Sequence, residues 1–408
     1  MGKGSIVAIR HASTIVLAFS YFLGSLGGTM TGVAVAVYLA QSGSGAAAVS
    51  GLLLASAFAN ILIVPFLAPS FDRFNPKHVA VFASIVDVFS LCLIIAIPSL
   101  PVLIFSTLLS ATCAGMIGPA LYHIFASTYA GVDEGKEAKA YSHLDTARLL
   151  GGISGPALGG YLVQASGLRS AVSFEVATVI LMGISLLLFA PNVRQADAGE
   201  VAGMGFISKV AQAPALLLRN RESRNAIQTI WAAIIFTSIF NVALVFFAVD
   251  TLHLGGVAYA FFVQSFMIGR LLGAKSASFL SYGRASIALA ASGVLMGASL
   301  LLVGLLKSFY IAIALLFLAG ICNAVQVASL RLVVSHSVPV DVRPKAFSSM
   351  GSLNSLAMLI GYFIGAPIME WVGPANSFVI SGLGTVVLTS IFALLGKRFS
   401  FVSMGKKE

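Results

Sequence analysis

Twelve apolar runs, each about as long as a bilayer is thick, recur along this chain at nearly regular intervals and dictate what it can become. They fall at about 12–40, 47–69, 78–97, 101–128, 142–165, 171–191, 225–250, 256–280, 286–306, 310–337, 346–369 and 375–396. A hydrocarbon core about 30 Å thick is crossed by roughly 20 apolar residues in an α-helix. A membrane β-barrel instead needs alternating segments of about 10 residues, and stretches such as "LCLIIAIP" and "VVLTSIFALL" do not alternate. Only 9% of the residues are charged, against about 25% in soluble domains. The expected fold is therefore an all-α membrane protein of twelve transmembrane helices.

Charge placement orients the helices. With a cytoplasmic N-terminus, eighteen Lys and Arg residues fall in inner loops or tails and only Arg169 and Lys307 fall outside. That asymmetry predicts cytoplasmic N- and C-termini by the positive-inside rule. It also accounts for the net charge of +10 without a nucleic-acid partner, because the basic residues are dispersed over short loops. Cys92, Cys113 and Cys322 fall inside predicted helices, without metal-ligand spacing, and read as small packing residues.

The chain repeats itself. "VDEGKEAKAYS" from 132 overlays "VPVDVRPKAFS" from 338, a shift of 206 positions, and the same shift brings Gly155 and Gly159 onto Gly361 and Gly365. Two pseudo-symmetric six-helix bundles are expected, at 1–191 and 225–408, joined by a polar cytoplasmic linker at 192–224. Repeats of this kind place a substrate site at their interface.

At this level the sequence resembles the major facilitator superfamily over its whole length. "APSFDRFNPKH" is similar to the family's loop signature after helix two, with Asp72, Arg73 and Lys77 in register and Asn75 where a glycine is usual. Asn tolerates the left-handed conformation a glycine would supply, so that departure is physically reasonable. The resemblance implies a gating role for the loop. "GGISGPALGG" matches the fifth-helix signature of proton-coupled exporters through Gly151, Gly155, Pro156, Gly159 and Gly160. Gly151, Gly155 and Gly159 form a smooth stripe, and Gly269, Gly273 and Ala277 form another on helix eight. The resemblance implies that these stripes meet across the two halves, with Pro156 supplying a bend. Within the superfamily, the loops after helices four and ten look like those of the drug and siderophore efflux branch, which includes enterobactin exporters and macrolide efflux proteins.

Ionisable residues within membrane helices are functional candidates by default. Asp87, His123, Asp145 and Glu175 are candidates for proton coupling, since burying a carboxyl disfavours its charged form. A hydrogen-bonded structural acid is an equal alternative for Asp87. Asp145 and Arg148 stand three apart on helix five, the spacing of an intrahelical salt bridge. Arg270, Lys275 and Arg331 are the remaining intramembrane cations. Polar cavity candidates on helices one, four, seven and ten, which the family fold places centrally, are Tyr21, Ser25, Thr29, Gln228, Trp231, Asn241, Asn323 and Gln326, with Arg270 and Arg331 beside them. Four cations against three acids tilt the substrate toward an anion.

The expected function is secondary active transport, export of a small amphiphilic solute such as a siderophore or drug-like molecule by alternating access. An importer or facilitator on the same fold is the alternative, and a non-transporting receptor or sensor the second. No phosphate-cradling loop, nucleophile elbow or zinc spacing points to an enzyme. No cofactor is expected, a proton gradient being the energy source. The expected setting is a monomer in the lipid bilayer of a bacterial inner membrane.

Overall fold

The computed structural model describes residues 3–71, 74–129, 134–192, 221–276, 280–338 and 343–404. The described residues form twelve helical elements. Those of the first half are α1 (Lys3–Gln41), α2 (Gly45–Phe58, then a π turn Ala59–Ile63 and Val64–Phe71), α3 (Pro76–Ala96), α4 (Leu100–Tyr129), α5 (Glu134–Ser166) and α6 (Leu168–Phe189). Those of the second are α7 (Arg221–Phe246, then a π turn Phe247–Thr251), α8 (Gly255–Ser276), α9 (Tyr282–Leu306), α10 (Phe309–Ser337), α11 (Arg343–Val372) and α12 (Pro374–Met404). Among the described residues, eleven helices are by length and composition long and apolar enough to cross a membrane. The exception is α5, whose 33 residues carry the glycine-rich motif and a polar N-terminal half.

The short connections are built from residues suited to turning. Gly167 at φ +80° lets α6 begin one residue after α5 ends, and Gly373 at φ +82° does the same between α11 and α12. Asn75 behaves differently from expectation. Its φ of −57° and ψ of 125° are extended, and its side chain accepts a hydrogen bond from Lys77 N at 3.0 Å. Asn75 stands in the loop signature as an N-cap ahead of Pro76, and not as a substitute for left-handed glycine.

The chain divides into two compact units. The first holds α1, α2 from Gly51 onward, α3 to α6, and Gly255–Ala260 at the start of α8; the second holds Gly45–Ser50, α7, the rest of α8, and α9 to α12. The core of the first unit gathers Leu17, Ala83, Cys113, Leu121, Phe125, Leu144 and Leu186 from five helices. That of the second gathers Ile227, Ile230, Leu289, Leu330, Val333 and Met350.

The glycine stripe of α5 has a different partner from the expected one. A Cβ at Gly151 would lie 2.5 Å from Phe22 O, one at Gly155 2.5 Å from Leu26 O, and one at Gly159 2.9 Å from Met30 C. All three glycines therefore press α5 against the backbone of α1, inside the first unit. In the second unit, Gly361 meets Ser238 and Gly365 meets Val242, so the repeated pair on α11 presses on α7 in the same manner. The stripe on α8 also packs within its own unit: Gly273 faces Ile321 O of α10 at 2.5 Å, and Gly269 faces Phe317. Ala277 lies outside the described residues. Of the motif's glycines, Gly160 meets α8, where a Cβ would stand 2.7 Å from Gly256 O. The stripe pairing inferred from the family resemblance is thus replaced by close helix contacts inside each six-helix repeat. The reason is that a glycine stripe permits backbone approach without specifying whose backbone approaches.

Candidate functional site

In the first unit, α1, α4 and α5 bring together a polar face. Tyr21, Ser25 and Thr29 follow one another at four-residue spacing on α1, so they share one side of that helix. Because Gly151 and Gly155 admit α1 so closely, hydroxyls of α1 reach the backbone of α5. Ser25 Oγ donates to Arg148 O at 2.9 Å, and Thr29 Oγ1 lies 3.3 Å from Gly151 O while also bonding Ser25 O at 2.9 Å. Gly118 on α4 leaves room for Tyr21, whose Oη would stand 3.4 Å from a Cβ there.

An ion pair sits beside these hydroxyls. Arg148 Nη2 lies 3.9 Å from Asp145 Oδ1, and the two side chains are 53% and 51% exposed. Tyr122 Oη donates to the same Asp145 oxygen at 2.5 Å, and the Tyr122 and Tyr141 rings lie 6.0 Å apart. Both charged groups are thus half-exposed, an arrangement that would be costly against hydrocarbon. Arg148, held by one long contact, keeps donors available to a solute carboxylate or other anion.

The other candidates distribute differently. His123 follows Tyr122 on α4 and is exposed. Asp87 on α3 and Glu175 on α6 are both buried, at 7% and 5% exposure, well apart in character from the exposed Asp145. Asp72 and Arg73 lie outside the described residues. Lys77 is described, and its Nζ donates to Leu187 O at 2.9 Å, tying the start of α3 to the end of α6.

In the second unit, Gln228, Trp231, Asn241 and Asn323 are half-buried, whereas Arg270, Lys275 and Arg331 are exposed. Asn241 lies beside the buried Tyr362 hydroxyl. Gln326 is not surface-directed as a cavity residue would be. It is 1% exposed, and its Nε2 stands 2.8 Å from the place of a Cβ on Gly293, beside the buried Thr389.

Two contributors were missed in the sequence. Tyr122 bonds Asp145 across 23 residues, and nothing in "GPALYHIF" marks Tyr122 over its neighbours. Glu370 of α11 accepts from Ala47 N at 3.3 Å, placing a carboxylate on the N-terminal turn of α2 inside the second unit. Ser50 Oγ strengthens that attachment by donating to Tyr362 O at 2.5 Å.

Comparison with known proteins bears on the family and the fold. Residues 17–282 match a family profile described as Major Facilitator Superfamily. A Bacillus subtilis (strain 168) protein described as an uncharacterized MFS-type transporter, YfiS, is 23% identical over 273 residues; the match spans 61% of each chain. Among solved structures, the nucleoside transporter NupG superposes with a TM-score of 0.75 at 13% identity, covering 93% of this chain and 98% of that one. A POT family transporter in complex with a thioalcohol-conjugated peptide gives 0.71 at 14% identity, covering 94% and 96%. The human organic anion transporter MFSD10 gives 0.62 at 17% identity, covering 94% and 99%. At these identities the structural likeness concerns the fold.

Proposed function

The chain belongs to the major facilitator superfamily, a multi-pass membrane transporter family, and from that membership we propose that it is a proton-coupled exporter of a small amphiphilic, anion-leaning organic solute. It works by alternating access in a bacterial inner membrane with both termini cytoplasmic. The observation that carries the substrate class is the polar face of the first unit: three hydroxyls, two tyrosines and a half-exposed Arg148 beside Asp145. Such a face binds a molecule with an aromatic or apolar body and an acidic group. The export direction is supported by the uninterrupted fifth-helix pattern of Gly151, Gly155, Pro156, Gly159 and Gly160, which resembles that of proton-coupled exporters. The bacterial relative supports the choice of membrane. A proton gradient is the energy source in this reading, and Asp87, His123, Asp145 and Glu175 are the groups able to carry protons.

The test is comparative metabolite analysis of cytoplasm and medium from cells with and without the gene. An exporter leaves its solute inside the deletion strain and depleted in the medium. A solute that remains in the medium because the deletion strain fails to acquire it would make the protein an importer.

A further inference from the structure

The α2 helix starts without a cap of its own. The first four N–H groups of any α-helix lack intrahelical acceptors, and the side chain at the N-cap position ordinarily takes one of them, from the second or third residue. In α2 that position is Ser44, whose side chain makes no capping bond; its hydroxyl lies 2.8 Å from that of Ser42. The role falls instead to another helix. Ala47, the third residue of α2, donates its N–H to Glu370 Oε1 of α11 at 3.3 Å, and the same oxygen stands 3.4 Å from the place of a Cβ on Gly45, the first residue. A distant helix thus supplies the cap, with a negative charge at the positive end of α2.

A second polar contact strengthens the attachment. Ser50 Oγ, on the next turn, donates to Tyr362 O of α11 at 2.5 Å. Ala46, Val49 and Ser50 share one side of α2, and all are buried, at 0%, 3% and 3% exposure.

The α2 helix changes unit within its length. Gly45–Ser50 belongs to the second unit, and from Gly51, which meets Ile104 of α4, the helix belongs to the first. The α8 helix does the reverse. Gly255–Ala260 belongs to the first unit, with Gly256 against Val37 and Val163; beyond it the helix belongs to the second, where the Phe262 and Phe309 rings lie 5.6 Å apart. A rearrangement of one unit against the other therefore has to bend these two helices at the changeover or lift their first turns from the helices that hold them.

The internal repeat sets the two attachments side by side. Gly45 at φ +78° opens α2, and Gly255 at φ +72° opens α8. The 206-position shift carries Gln164 of α5 onto Glu370 of α11, and Gln164 Oε1 lies 3.6 Å from the place of a Cβ on Gly255. In each repeat, then, the last turn of the fifth helix presents a side-chain oxygen to the opening glycine of the helix it holds. One repeat uses a neutral amide. The other uses a carboxylate, which adds attraction to the helix N-terminus.

We propose that Glu370 is a latch: its carboxylate fastens the segment Gly45–Ser50 to α11 in the state seen here and lets go when the segment lifts, so its charge sets how often the segment opens. The part this latch plays in a transport cycle rests on the transport reading above; the opening of the segment does not.

The experiment is the rate of N-ethylmaleimide labelling of the purified full-length protein without solute, with Ala46→Cys or Val49→Cys as the reporter and read by mass spectrometry of the reporter peptide. The background is Cys92→Ser, in which the remaining Cys113 and Cys322 are buried. Each reporter is combined in turn with Glu370, Glu370→Gln and Glu370→Ala. A covered cysteine reacts only during openings, so its rate follows the opening equilibrium even when the open form is rare. Loss of the cap in Glu370→Ala should raise the rate roughly 2- to 30-fold. Loss of the charge alone in Glu370→Gln should raise it about 2- to 5-fold. Both reporters should accelerate equally, whereas Ser42→Cys, in the exposed turn before α2, should label at one rate throughout. Unchanged rates at both reporters would overturn the latch. So would acceleration at Ala46→Cys alone, because fraying of the first turn leaves Val49 covered and makes Glu370 an ordinary cap. Should Ala46→Cys not fold, Val49→Cys decides by itself. A protein that proves to be an importer, or not to transport, would still show this labelling pattern, so the two readings fail separately.

Discussion

Replacing Gly155 by alanine tests the close contact of α5 with α1 by its smallest possible perturbation, one methyl group. The added Cβ would stand 2.5 Å from Leu26 O and 3.0 Å from Met30 N. Both are backbone atoms of a packed helix, so no rotamer change relieves the clash and α1 must move. Overpacking of this kind costs about 1–3 kcal/mol. Gly152, one position beyond Gly151, is the internal control because a Cβ there meets nothing within 4 Å. Gly152→Ala should gain up to about 1 kcal/mol from helix propensity alone. For domains of this size, about 2–4 °C of melting temperature accompanies each kcal/mol. The propensity gain is common to both substitutions, so Gly155→Ala should melt roughly 2–12 °C below Gly152→Ala. Thermal unfolding in detergent can be followed with a thiol-reactive dye once the exposed Cys92 is blocked, because Cys113 and Cys322 are buried and become labelled on unfolding. Equal melting temperatures for the two variants would refute the backbone contact and return the glycine motif to a role elsewhere.

Three further outcomes follow from the same geometry. Gly293→Ala should destabilise by about 1–3 kcal/mol, since its Cβ would fall 2.7 Å from Thr389 Cγ2 and 2.8 Å from Gln326 Nε2; a melting temperature at or above wild type would contradict that packing. Arg148→Ala removes an exposed pair whose contribution to stability is about 0–1 kcal/mol, so melting should barely change while uptake of an anionic solute into inverted vesicles shows a raised KM. An unchanged KM would take Arg148 out of substrate binding. Cysteines placed at Gly160 and Ala260, whose side-chain positions approach closely, should cross-link on mild oxidation and halt transport until reduced. Cross-linking with full activity would show that α5 and the first two turns of α8 stay together throughout the cycle.

Much of the all-helical fold was legible in its sequence because hydrophobic runs report directly on where helices form. A membrane helix must satisfy its backbone internally, so run length alone predicts the element. The Asp145–Arg148 pair was legible for the same reason of locality: three residues on one helix are neighbours before any tertiary structure exists. The weaker readings all concerned which helix meets which. Gly151, Gly155 and Gly159 announce a close backbone approach but carry no address, and only the packed unit decides that α1, and not α8, is the neighbour. Tyr122 reaches Asp145 by the crossing of α4 and α5. Periodicity and charge act along the chain and are written in it; contacts between distant helices depend on the shape of every surface at once, which is settled only when the helices pack.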